Sequence, residues 1–224
     1  MSDALSNFNL PDTAQAVRLT TDLAYFALAG TAAITFVGAL DEKAELQKRQ
    51  ALATETAVNA VAAFVYKELR DAVQNEDSFR VMNLRYIDWA ITTPLLLGSL
   101  VLYMTYHEKP MRFAAIASVI ALNMGMLLFG YLGINQVPTE GANVQQVLSN
   151  AYWIVGLLCF VGMAAILLLH LKRNYVLWIF LAVWLLYGIV YFTDWSKQQI
   201  LYNCLDVVSK AGFGVFLYFV KRNA

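Results

Sequence analysis

Apolar residues fall in seven long runs along the chain, each broken from the next by a short polar stretch. The runs cover about residues 20–40, 51–71, 81–104, 111–133, 149–171, 174–193 and 198–220. Each approaches the ~20 residues that cross a bilayer as a helix. The second run is the weakest, because Glu55, Asn59, Lys67 and Glu68 interrupt it. Turn-forming or charged clusters separate the runs, as at Asp41-Glu42-Lys43, Glu108-Lys109-Pro110, Pro138-Thr139-Glu140-Gly141 and Lys172-Arg173-Asn174. No repeat or low-complexity stretch is evident. The pattern predicts an all-α bundle of seven transmembrane helices, forming one domain over residues 1–224, and a multi-pass integral membrane protein whose partner is the lipid bilayer.

Composition narrows the class. The chain is 59% hydrophobic and 14% charged, against roughly 45–50% and 25% for a soluble domain. Sixteen basic and sixteen acidic residues cancel, so no nucleic-acid partner is expected. Cys159 and Cys204 lie inside apolar runs and give no disulfide pattern. No cleavable leader is expected from the polar first twenty residues. Lys43, Lys48, Arg49, Lys109, Arg112, Lys172, Arg173, Lys221 and Arg222 share one side of the bundle, against Arg18, Lys67, Arg70, Arg80 and Lys197 on the other. The positive-inside rule then places the amino terminus outside and the carboxyl terminus in the cytoplasm.

The last and third runs carry charges that a membrane disfavours. Asp206 and Lys210 are four residues apart near mid-span, and so share a helix face. Arg85, Asp88, Thr92 and Ser99 form one stripe on the third helix. Each charge at a helix centre disfavours insertion by ~2.5–3.5 kcal/mol, so such groups turn inward and pair. An ion-pair network that only holds two helices together is one reading. The other is chemical: a desolvated lysine forms Schiff bases with carbonyl compounds, and the resulting cation would sit between Asp88 and Asp206. Thr92 is placed to hydrogen-bond the Asp88 carboxylate, and Arg85 to hold an aqueous cluster on the outer side.

Two strings, Arg85-Tyr86-Ile87-Asp88-Trp89 with Thr92-Thr93-Pro94, and Leu205-Asp206-Val207-Val208-Ser209-Lys210, resemble those of the microbial rhodopsins. The resemblance runs over the whole chain and is similar to a compact, virus-borne branch with an Asp88-Thr92-Ser99 pattern. It implies all-trans retinal bound to Lys210 as a protonated Schiff base, Asp88 as primary counterion and proton acceptor, Asp206 as second counterion and Arg85 as an outward gate. Around the polyene it implies Tyr86, Trp89, Thr93, Leu96, Asn123, Met126, Gly130, Gly156, Cys159, Trp184, Tyr187 and Tyr191. Leu96 implies green rather than blue absorption. No metal site is expected. A trimer or pentamer is common in such a family.

The sequence also departs from that pattern. Ser99 stands where outward pumps carry a carboxylic proton donor. Glu55, three turns from Tyr66, is either a substitute donor facing the Ser99 level or a carboxylate at the headgroups. Gln198 replaces one member of an outer glutamate pair, and Asp194, Glu76 and Asp77 are surface carboxylates or substitutes for it. Gly188 follows Tyr187 where a proline is usual. Gly156 replaces a bulky residue, which implies either a window that could admit a carotenoid antenna or a close helix contact. Val65 excludes a histidine beside Tyr66. His107 and His170 are expected at the interface. The resemblance implies a light-driven outward proton pump working on protons and internal water. A light-gated cation channel and a slow photosensor remain as alternatives. Asp88 argues against a chloride pump, and the Asp88-Thr92-Ser99 pattern against a sodium pump.

Overall fold

The computed structural model describes residues 13–106, 108–134 and 142–220, with side chains from 147 onward in the last stretch. His107 and the tail cations Lys221 and Arg222 lie outside the described residues. Seven helices follow one another: α1 (Thr13–Leu40), α2 (Leu46–Gln74), α3 (Ser78–Met104), α4 (Phe113–Ile134), α5 (Ala142–His170), α6 (Tyr175–Val190) and α7 (Trp195–Phe219). No strand occurs among the described residues. Consecutive helices pack side by side, and α7 closes the ring against α1.

Local chemistry sets the helix ends. Asp77 caps α3 by accepting the Arg80 backbone N–H at 2.9 Å, and Asn174 caps α6 by accepting that of Leu177 at 3.1 Å. Glu76 has φ 57°, the left-handed turn that lets α2 reverse into α3 within a few residues. At the other end of α6, the Trp153 indole donates to the Gly188 carbonyl at 3.0 Å. That carbonyl is one of the last-turn acceptors that a helix leaves unpaired. Helices α1 and α5 start about seven residues before their apolar runs, because hydropathy marks the lipid-buried part and not the whole helix.

Five of the helices are long and apolar enough to cross a membrane, and α6 is a shorter apolar helix. Helix α2 is not among them because charged and amide residues interrupt it; Glu55 and Asn59 are fully buried, whereas Lys67 is exposed. Large apolar side chains such as Phe26, Phe64, Leu158 and Trp178 point outward instead. Such an inside-out distribution suits a lipid solvent, in which an exposed leucine costs nothing. The interior is packed by Leu28, Leu69, Leu96, Leu100, Met163 and Leu167.

One close approach depends on glycine. A Cβ on Gly214 of α7 would lie 2.8 Å from Thr31 Cγ2 of α1 and 3.2 Å from Asn59 Nδ2 of α2. Replacing Gly214 with valine should therefore force α1 and α7 apart and destabilise the bundle by ~1–3 kcal/mol. Loss of helical circular dichroism during detergent denaturation would measure it, and an unchanged midpoint would show that the packing there is loose.

Candidate functional site

Helix α7 changes pitch in its middle: Val207–Gly212 forms a π-helical turn. Such turns are rare and gather at functional sites. It carries Lys210, whose side chain is fully buried in the bundle. The ammonium bonds Asp88 of α3 and lies 3.2 Å from Asp206 Oδ1, one turn earlier on α7. Both carboxylates and Arg85 are buried as well. Two cations and two anions thus share the centre of the bundle, which removes the net charge that the interior would reject.

The two acids are held differently. Asp206 Oδ1 accepts from Tyr187 OH at 2.7 Å and Trp89 Nε1 at 3.1 Å, and its Oδ2 accepts from Tyr66 OH at 2.8 Å. Arg85 NH1 is 3.8 Å from the same Oδ2. Asp88 has Lys210 on Oδ2, and its Oδ1 has no hydrogen-bond partner. Thr92 does not bond the Asp88 carboxylate, as its spacing suggests it would. Its Oγ1 donates to the Asp88 backbone carbonyl at 2.8 Å, as a hydroxyl one turn on in a helix commonly does. Thr93 repeats the pattern toward Trp89 at 2.7 Å.

Arg85 is cradled by amides. Its Nε donates to Gln199 Oε1 at 2.6 Å, and NH2 to Asn203 Oδ1 at 2.7 Å and the Gln199 carbonyl at 3.4 Å. NH1 donates to Tyr66 OH at 3.2 Å. The Asn203 amide nitrogen donates in turn to Thr20 and Thr21 Oγ1 of α1, both at 3.0 Å. Gln199 and Asn203 escaped the sequence reading, although their one-turn spacing from each other on the face of Asp206 is a usable signal. Gln198 is also buried, and donates to the Tyr191 carbonyl at 3.1 Å.

Beside Lys210 a cavity of about 110 Å³ reaches across to α5. Tyr86, Trp89, Thr93, Leu96, Met126, Gly130, Gly156, Trp184, Tyr187, Tyr191 and Asp206, which the resemblance sets around a polyene, all line it. Trp153, Phe160 and Tyr202 line it too and were missed, because an aromatic residue in an apolar helix looks the same whether it packs core or ligand. Two expectations fail. Cys159 faces α4, where its Sγ would be 3.2 Å from a Cβ on Gly125, and it is not part of the wall. Asn123 lies behind the wall, donating to Thr93 Oγ1 at 2.7 Å. Gly156 is buried, with the Met126 carbonyl 3.4 Å from where its Cβ would be. It packs on the backbone of α4 at ordinary van der Waals distance.

The remaining expected residues lie off the cavity. Ser99 and Glu55 are both fully buried inside the bundle. Asp194 and Glu76 are exposed and paired with Lys197 at 3.0 Å and Arg18 at 3.6 Å. His170 is exposed in the last turn of α5 and bonds the Ile166 carbonyl through Nδ1 at 2.9 Å. Among the described residues no group of three acidic, histidine or cysteine side chains could hold a metal.

The family model described as "Bacteriorhodopsin-like protein" matches residues 17–224. Among solved structures, the viral rhodopsin OLPVRII is 29% identical, with a TM-score of 0.80 over 90% of this chain and 95% of that one. A blue light-absorbing proteorhodopsin from Med12 is 24% identical, with a TM-score of 0.72 over 90% and 94%. The proton pumping rhodopsin AR2 from the marine alga Acetabularia acetabulum is 22% identical, also at 0.72, over 91% and 93%. No match was found among curated proteins.

Replacing Asn203 with leucine would remove one of the Arg85 acceptors and both links to α1. Hydrogen bonds to a charged group contribute ~1.5–3 kcal/mol each, so the variant should lose roughly that much stability. Thr21→Val, which deletes one acceptor of the Asn203 amide, should lose less. Detergent denaturation of both variants checks the order, and equal losses would mean that Asn203 does not support Arg85.

Proposed function

The chain belongs to the bacteriorhodopsin-like family, and from that premise we propose that it is a light-driven outward proton pump. In this proposal all-trans retinal is carried on Lys210 and Asp88 is the proton acceptor. Proteins of the family are multi-pass membrane proteins built around a retinal chromophore. The residues present fit that group. One primary amine, buried and flanked by two acids, opens on a cavity walled by Trp89, Trp184 and Tyr187. Flat aromatic faces suit a rigid polyene. When bound, retinal supplies light absorption and a change of shape that alters the proton affinity of the lysine nitrogen.

The observation that carries the proposal is the inequality between the acids. Asp206 has donors on both oxygens, from Trp89, Tyr187 and Tyr66. A carboxylate so furnished is stabilised in its charged form. Asp88 meets Lys210 through Oδ2, and its Oδ1 is unpartnered. A proton arriving at Asp88 Oδ1 disturbs no hydrogen bond there, whereas one arriving at Asp206 would weaken the three that its charged form accepts. Asp88 therefore takes the proton and Asp206 remains the fixed negative charge. Arg85, one turn toward the amino-terminal end of α3, lies on the side from which the proton leaves.

The basic loops support an outward direction. With Lys43, Lys48, Arg49, Lys109, Arg112, Lys172 and Arg173 in the cytoplasm, Arg85 lies on the outer side of Lys210 and Ser99 on the inner side. A proton passing from Lys210 to Asp88 and onward past Arg85 moves out of the cell.

Lys210→Ala should give a protein that stays colourless with all-trans retinal. Asp88→Asn should shift the visible band to the red and abolish acidification of the medium by illuminated cells, measured with and without a protonophore. Persistent acidification in Asp88→Asn would remove Asp88 from the acceptor role. Current that reverses with voltage would identify a channel instead.

A further inference from the structure

A groove of about 320 Å³ runs along the seam between the amino-terminal half of α6 and the carboxyl-terminal half of α7. Ile179 of α6 forms one bank, and Val208 and Gly212 of α7 the other. All three are exposed on the outer surface of the bundle, which faces lipid. Gly212 keeps its bank low: a Cβ there would meet only the Val207 carbonyl, at 3.6 Å. Deeper in, the groove is lined by the buried rings of Phe180 and Phe213, whose centroids are 6.2 Å apart.

The groove ends against the site at Lys210. Trp184 and Ser209 line both the groove and the cavity beside Lys210, and so stand between the two spaces. That cavity is about 110 Å³, whereas ligand pockets run ~300–1,000 Å³. Its wall must therefore give way to admit a polyene. Trp184 is a part of the wall with a second space behind it, into which an indole can turn. Ser209, next to Lys210 in the chain, puts a hydroxyl at the junction, 3.0 Å from Tyr187 OH.

The ties of α6 leave this seam free to widen. Tyr187 bonds Asp206 at 2.7 Å, Gly188 accepts from Trp153 at 3.0 Å, and Tyr191 meets Ser149 at 2.7 Å and accepts from Gln198 at 3.1 Å. These side-chain bonds to α5 and α7 all lie toward the carboxyl-terminal end of α6. The groove lies at the other end, where its lining is apolar side chains such as Val176, Ile179 and Val183. Apolar contacts are non-directional and can be exchanged for contacts with an apolar guest.

We propose that this seam is the portal through which a polyene aldehyde enters from the bilayer, with Trp184 as the movable partition between groove and cavity. Such a molecule dissolves in lipid and not in water, and a path along the seam leaves the Arg85 cradle undisturbed. The proposal rests on the reading of Lys210 as the retinal lysine and adds the route by which that site is filled.

The test is the rate at which retinal-free protein in liposomes develops its visible band after all-trans retinal is added. Ile179→Trp and Val208→Phe fill the groove from opposite banks, at exposed positions outside the cavity wall. Each should slow colour development by about 10-fold or more, as overpacking raises the barrier to passage, while the final band keeps its position and height. Leu158→Trp, on the exposed face of α5, should colour at the wild-type rate. Wild-type rates in both groove variants would overturn the proposal and leave the groove as a seat for a lipid chain. Equal slowing in Leu158→Trp would also overturn it. A wild type that stays colourless would overturn the reading of Lys210, and the portal with it.

Discussion

Everything in the centre of this bundle depends on holding one ammonium, one guanidinium and two carboxylates out of water together. Lys210 sits against Asp88 and Asp206, and Arg85 lies 3.8 Å from Asp206. Any one of these charges alone would be expelled or neutralised by the interior. As a set they are neutral, and the surrounding hydroxyls, amides and indole satisfy most of what remains. Removing a proton from the lysine nitrogen and placing it on Asp88 discharges one positive and one negative group at once. The interior remains neutral overall, so transfer between them is feasible in a medium that would block either change alone.

Much of this was legible in the chain. Seven spans follow from apolar runs, because lipid requires each crossing to hide its backbone in a helix. Charges inside those runs must face inward, so Arg85, Asp88, Asp206 and Lys210 declared themselves by being there at all. Helix α2 was the weakest of the seven for the same reason: its polar face turns inward, and a hydropathy window cannot tell an inward amide from a surface one. Most of the pocket wall, from Tyr86 to Tyr191, came from a family pattern and not from periodicity.

Other features needed coordinates. The rotamer of Thr92 decides between a carboxylate and a backbone carbonyl four residues back, and both lie within its reach. Cys159 and Gly156 are three residues apart on α5, yet only Gly156 borders the cavity, since a few tens of degrees around a helix separate wall from helix contact. The burial of Glu55 could not be read, because a hydropathy window does not tell an inward carboxylate from one on the surface. The Arg85 cradle was hidden for a different reason. Gln199 and Asn203 are uncharged, and a neutral amide in an amphipathic helix carries no label saying that it holds a cation.

The wide turn at Val207–Gly212 has a consequence for the rest of α7. Each residue of a regular helix advances the side-chain direction by ~100°, so a turn that takes in an extra residue resets the phase of whatever follows. Gly214 and Leu217 meet α1 and the core only in the phase set after that reset, while Tyr202 and Asp206 meet α3 in the phase set before it. The helix is therefore two gears on one shaft, and Lys210 rides on the coupling. A single-residue deletion anywhere within that coupling would straighten the helix and leave one half or the other turned toward lipid.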